Sequence, residues 1–204
     1  MSAIRISAGK PIYAATRNAD KLRELRALWG PMPPRLVAPA SVPDVDERFD
    51  SYEQNALAKA TALMKSLYAP ALADDSGIEV KALDWKPGVR SARTPSPESS
   101  SVERNAYLLS ELAGIAGEER HARFVCVCAL VLPDEEPIIA RGEVEGFIAA
   151  APLGSAGFGY DPIFYYEPFG MTFAEAGQEA KNAVSHRGNA IRLLRERIAP
   201  LITR

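Results

Sequence analysis

Arg123 to Leu132 is the strongest strand signal in the chain. Its centre, Phe124-Val125-Cys126-Val127-Cys128-Ala129-Leu130, is apolar throughout. Pro133-Asp134-Glu135-Glu136-Pro137 turns the chain, and Ile138 to Val144 returns antiparallel, with Gly146-Phe147-Ile148 able to extend it. Shorter apolar runs at Pro11 to Ala15, Arg35 to Ala38, Ala71 to Ala73 and Ile163 to Tyr165 also read as strands. Segments of helical spacing are interleaved with them, so the chain reads as α/β with a mixed sheet.

The helices are marked by stripes and caps. Lys21 to Trp29 carries Leu22, Leu25, Leu28 and Trp29 and stops at Gly30-Pro31. Ser51-x-x-Gln54 opens a helix from Tyr52 to about Tyr68, with Ala56, Ala60, Leu63, Met64 and Leu67 inward. Ser100-x-x-Glu103 starts one that runs to about Ala113, after a Ser/Pro-rich loop from Thr94 to Ser101. Thr172-x-x-Glu175 starts a short one ending near Gly177, and a last helix buries Ala190, Ile191, Leu194 and Ile198.

The 204 residues suit a single domain, 1–204, with room for two lobes. A formal charge of -2 provides no field for nucleic acid or an anionic membrane. No apolar run approaches the roughly 20 residues of a membrane helix. Met1-Ser2-Ala3-Ile4-Arg5 lacks an apolar signal segment, so the expected compartment is cytoplasmic. Cys126 and Cys128 fall on one face of their strand and serve as small core residues.

Four stretches carry candidate chemistry. The first is Ala73-Asp74-Asp75-Ser76-Gly77, where an apolar strand ends in two adjacent carboxylates. Carboxylates at a strand tip suit a hard divalent cation, and the same residues also suit a plain Ser/Asp/Gly turn. The second is Thr16-Arg17-Asn18-Ala19-Asp20-Lys21, a strand-to-helix turn whose N–H groups and helix dipole favour an anion, or an ordinary polar cap. It is not a Walker A loop, since the glycines and the Lys-Ser/Thr ending are missing. The third is Gly154 to Pro162, where glycines flank Phe158 and Tyr160 and suit a planar ligand, or aromatics that pack inward. The fourth places Lys181, His186 and Arg187 around a helix start, a basic cluster that makes sense beside an anion. Glu47, in the acidic stretch Asp44 to Asp50, could join Asp75 at a metal.

Thr16-x-Asn18-x-x-Lys21, Ala73-Asp74-Asp75-Ser76-Gly77, Ser91-Ala92-Arg93, Gly157-Phe158-Gly159-Tyr160-Asp161-Pro162 and Lys181-x-x-x-Ser185-His186-Arg187 occur in that order. The set, spanning about Ile12 to Ile198, resembles the inosine triphosphate pyrophosphatase family. The resemblance implies hydrolysis of ITP, dITP and XTP to monophosphate and pyrophosphate with Mg2+, clearing deaminated purines from the nucleotide pool. It implies a long twisted mixed sheet flanked by helices, in two lobes with a central cleft, and a homodimer. It also implies residue roles. Asp75 would be the general base and a magnesium ligand, with Glu47 the second metal carboxylate. Thr16, Arg17, Asn18, Ala19, Asp20 and Lys21 would hold the triphosphate. Ser76 would touch substrate beside the metal. Phe158, Gly159, Tyr160 and Asp161 would contact the nucleoside, Phe158 by stacking. Lys181, His186 and Arg187 would bind phosphate and the base edge, Arg187 reading the keto oxygen at C6 with help from His186. Arg17 stands where glycine is common in the family, and Gln54 where glutamate is. Two alternatives are a related pyrophosphatase for modified pyrimidine or methylated nucleotides, and a non-catalytic nucleotide-binding regulator. The regulator would not need both Asp75 and Glu47.

Overall fold

A computed structural model describes residues 5–31, 33–46 and 48–203. The chain forms two compact units. Unit 1 is Met1–Asp75, Cys126–Gly142 and Arg187–Arg204; unit 2 is Ser76–Val125 and Glu143–His186. In order, the elements are β1 (Ile6–Ser7), β2 (Ile12–Ala14), α1 (Ala19–Trp29), β3 (Leu36–Val37), α2 (Tyr52–Leu67), β4 (Ala71–Val80), β5 (Lys86–Pro87), α3 (Ser101–Glu111), β6 (His121–Val131), β7 (Ile138–Ile148), β8 (Phe164–Tyr166), β9 (Met171–Thr172), α4 (Phe173–Val184), α5 (His186–Ile198) and β10 (Ile202–Thr203).

The main sheet has the strand order β3-β2-β4-β6-β7-β8-β9, with β5 on β4. β2 runs parallel to β3 and β4, while β5 is antiparallel to β4 and β8 to both β7 and β9, so the sheet is mixed as expected. β1 and β10 form a separate parallel pair.

In unit 1, α1 and α5 bury Leu25, Trp29, Ala190, Ile191, Leu194 and Ile198 against Leu72, Cys126, Cys128 and Leu130. Each large apolar side chain buried this way contributes roughly 1.5–3 kcal/mol. Trp29 keeps its one polar atom satisfied by donating from Nε1 to the Pro34 carbonyl at 2.7 Å. In unit 2, Leu108 of α3 and Phe173 of α4 pack with Ile78, Val80, Phe124, Val144 and Phe164. The capping boxes at Ser100/Glu103 and Thr172/Glu175 both close in full.

Two expectations change. β4 does not stop before Asp74-Asp75 but runs through them for ten residues. Successive strand residues face opposite ways, so Leu72 and Asp74 share one face while Ala73 and Asp75 share the other. Two adjacent carboxylates thereby avoid sharing one site. The helix after Thr172 does not end at Gly177; that glycine adopts φ 81° as a kink, and the helix resumes to Val184. β7 runs on to Ile148, as Gly146-Phe147-Ile148 allowed. The two cysteines are buried free thiols 3.9 Å apart. A hydrogen bond with Cys126, then burial, pushes the Cys128 thiol up, which suits a neutral packing role.

Candidate active site

Unit 1 holds the acidic pair. Asp74 is almost wholly buried; its Oδ2 accepts from Arg187 Nε and Nη2 at 3.1 and 3.0 Å and forms an ion pair with Lys21 Nζ at 3.2 Å. Arg187 Nη1 also bonds Glu24, which is buried on α1 one turn beyond Lys21. Burial would raise the Asp74 pKa, but Lys21, Arg187 and Lys59 outweigh it and hold the carboxyl well below the usual range. Asp75 has separate partners on α2: Asn55 Nδ2 donates to its Oδ2 at 3.1 Å and Lys59 Nζ to its Oδ1 at 3.3 Å.

The turn before α1 is organised by its own side chains. Asn18 Oδ1 accepts from the N–H groups of Asp20 and Lys21, and Thr16 Oγ1 accepts from Asn18 N. Asn18 thus consumes two of the helix N–H groups that were expected to meet an anion. What remains for an anion is the helix dipole and the cations of Lys21, Arg17 and Lys59. These cations line a cavity of about 80 Å³ together with Thr16, Asp44 and Asp74. Ala19 and Asp20 begin α1, where Asp20 pairs with Arg23.

Unit 2 holds the glycine-rich loop. Gly157 takes φ 76°, and a Cβ there would stand 2.1 Å from Asp161 Oδ2. Only glycine lets that carboxylate approach the backbone so closely. The same oxygen accepts from Phe158 N at 2.8 Å and from Lys181 Nζ at 2.7 Å. Lys181 Nζ also sits 4.8 Å from the centre of the Phe158 ring. Gly159 O accepts from Asn105 of α3, and the buried Tyr160 donates to Ser91 O at 2.8 Å. Burial pushes the Tyr160 pKa up to about 12. His186 stacks on Phe124, with ring centres 4.6 Å apart. Ser76 is half-buried at the start of unit 2.

Most of the expected residues therefore fall into one cluster in each unit. Arg187 lies in unit 1, its guanidinium held by Asp74 and Glu24. Glu47 lies outside the described residues. Sequence reasoning passed over Glu24, Asn55 and Lys59. Their signal was helical spacing: Glu24 lies three residues after Lys21, and Lys59 four after Asn55, so each pair shares a helix face.

Asp75 offers the hard carboxylate oxygens that a magnesium ion takes, while Asp74, on the opposite face of β4, keeps one buried oxygen, Oδ1, without a hydrogen-bond partner. Among the described residues no three His, Cys, Asp or Glu side chains converge. Magnesium does not need such a cage, since one or two carboxylates plus substrate phosphates and water suffice.

Comparison with known proteins gives the family. The pattern of the Ham1 family matches residues 12–197. A dITP/XTP pyrophosphatase of Geobacter sulfurreducens is 46% identical over 190 residues, covering 92% of this chain and 96% of that protein. One from Thermus thermophilus is 45% identical over 190 residues, covering 92% and 91%. A HAM1 protein from Coxiella burnetii has a solved structure similar to this one at TM-score 0.85 and 38% identity, over 94% of this chain and 99% of that chain.

Proposed function

The chain belongs to the Ham1 family, and from that membership we infer that it hydrolyses ITP, dITP and XTP to the monophosphate and pyrophosphate. It is a nucleoside triphosphate pyrophosphohydrolase that removes deaminated purines from the nucleotide pool. The observation that carries the reading is the acidic pair on β4, turned to opposite faces, with Lys21 and Arg187 on Asp74 and Lys59 and Asn55 on Asp75. A packing role alone would not place two buried carboxylates beside one buried and two partly buried cations in a sheet protein.

In the proposed reaction Asp75 orients a water and takes its proton as the oxygen attacks the α-phosphorus. The bond from that phosphorus to the bridging oxygen breaks, and pyrophosphate leaves. A carboxylate is a weak base, so holding the water in line contributes more than proton affinity. Lys21 and Lys59 offset charge on the phosphate oxygens and on the leaving group. Magnesium, held by Asp75 with Glu47, would supply Lewis-acid neutralisation of the phosphate oxygens. Asp74 keeps Lys21 and Arg187 in place. For Arg187 to read a base edge it would first have to leave two buried carboxylates, so we assign it to holding Asp74 ionised.

The unit 2 cluster suits the base. Phe158 would offer a face for stacking, and the keto oxygen at C6 would take its donor from His186 or from Lys181, the latter only by giving up its bond to Asp161 and its place over the Phe158 ring. Adenine presents an amine there, which would leave these donors unpaired. The proposal includes a homodimer, carried over from the family resemblance, and a cytoplasmic setting; no described helix is long and apolar enough to cross a membrane. The test is pyrophosphate release from ITP, XTP, dITP, ATP and GTP side by side with Mg2+. Release confined largely to the first three supports the reading. No release, or equal release from all five, overturns it.

A further inference from the structure

Arg17 occupies the phosphate turn at a position where family resemblance suggests glycine, and its side chain is engaged. Nε and Nη2 each donate to the Val42 carbonyl at 3.3 Å, and Nη1 pairs with Asp44 Oδ1 at 3.0 Å. Arg17 and Asp44 line the same small cavity as Lys21, Lys59 and Asp74. At about 80 Å³ it lies far below the roughly 300–1,000 Å³ of a pocket that encloses a whole ligand, and suits a phosphate-sized group.

The three cations differ in how they are held. Lys21 and Lys59 pair with buried carboxylates, Asp74 and Asp75. Arg17 pairs with a surface carboxylate: the two side chains are 56% and 90% exposed. An ion pair this exposed biases its equilibrium by a factor of only about 1.4 to 5, so a polyphosphate can displace it. A carboxylate bound to a guanidinium uses the same planar fork that phosphate uses.

We propose that Asp44 stands in for phosphate. Arg17 holds it in the ligand-free chain and exchanges it for a phosphate beyond the α position. Arg17 is thus a phosphate ligand and Asp44 its built-in competitor. The assignment to a non-reacting phosphate rests on the proposed function: the α-phosphorus belongs beside Asp75, which is not part of the wall of this cavity.

The two halves of the pair should act with opposite sign. Titration calorimetry with inorganic tripolyphosphate and with IMP, on the full chain, reads this without turnover. Arg17→Gln should weaken tripolyphosphate binding about fivefold or more, and Asp44→Asn should tighten it about two- to fivefold. IMP affinity should stay within about twofold in both. In an Arg17→Gln background, Asp44→Asn should show less than half its effect on a logarithmic scale. If both single variants weaken binding, the pair is a loop brace and the proposal fails. It fails equally if neither variant moves the affinity, or if IMP shifts as much as tripolyphosphate. Equal tightening by Asp44→Asn in both backgrounds would mean plain charge repulsion, which also overturns it. Because no turnover is read, loss of this inference leaves the ITP hydrolysis test standing, and the reverse holds too.

Discussion

Replacing Arg187 with Met tests how far unit 1 depends on its buried charges. Arg187 is 1% exposed, and its guanidinium contacts Asp74 twice and Glu24 once. Met keeps much of the apolar stem and removes the charge. Breaking a buried pair from one side costs about 3–5 kcal/mol, because the partner carboxylates stay buried. Lys21 still faces Asp74, so the lower end applies, about 3 kcal/mol. For a chain of this size that corresponds to a fall in Tm of about 6–12 °C. The pH dependence supplies the sign. Asp74 has a folded pKa depressed below its unfolded value of about 3.9, so its stabilisation is present above that value and is lost as pH falls through the folded pKa. Without Arg187 the folded pKa rises, and the variant loses less on acidification than the parent. Urea unfolding should therefore show the widest gap at about pH 7 and a narrowing one below about pH 5. Arg187→Lys keeps the charge but not the fork and should fall between the two. A gap under about 1 kcal/mol at neutral pH would refute the charge argument. So would a gap that stays constant into acid, since lost packing does not titrate.

Asp75→Asn should fold normally and lose turnover by on the order of a hundredfold or more, read as pyrophosphate release from ITP; near-parental release would remove Asp75 from the base role. EDTA should abolish activity and magnesium restore it, because Asp75 and Glu47 offer only oxygen donors; restoration by zinc alone would count against that donor set. Gly157→Ala should destabilise by about 1–3 kcal/mol, since the new Cβ would meet Asp161 Oδ2 at 2.1 Å on a backbone with φ 76°. A thermal shift within error of the parent would show that Asp161 moves aside freely.

Much of the fold is legible because it rests on local interactions. The boxes at Ser100/Glu103 and Thr172/Glu175 are hydrogen bonds across three residues, so the residues that make them are visible side by side. The same holds for Asn18, which caps α1 within its own turn. The inner face of α5 was marked by spacing alone, and Ala190, Ile191, Leu194 and Ile198 are all buried. β4 was misread at its middle because carboxylates disfavour a strand when judged locally. Lys59 and Glu24 went unnoticed because helical spacing says which residues share a face, not what that face meets.

By itself the sequence determined the alternation of strands and helices, the caps, the apolar faces and the order of the five motifs. Each of these is set by backbone preference or side-chain period over a few residues. The tertiary structure alone decided which charge answers which. Asp74 meets Arg187 across 113 residues, and Glu24 meets the same guanidinium across 163. Asn55 reaches Asp75 across 20. A buried carboxylate is stable only where folding delivers a cation or a donor to it, and no local pattern records that delivery. For the same reason Arg187, adjacent in the chain to His186, joins the acidic pair of unit 1 while His186 stacks on Phe124 in unit 2.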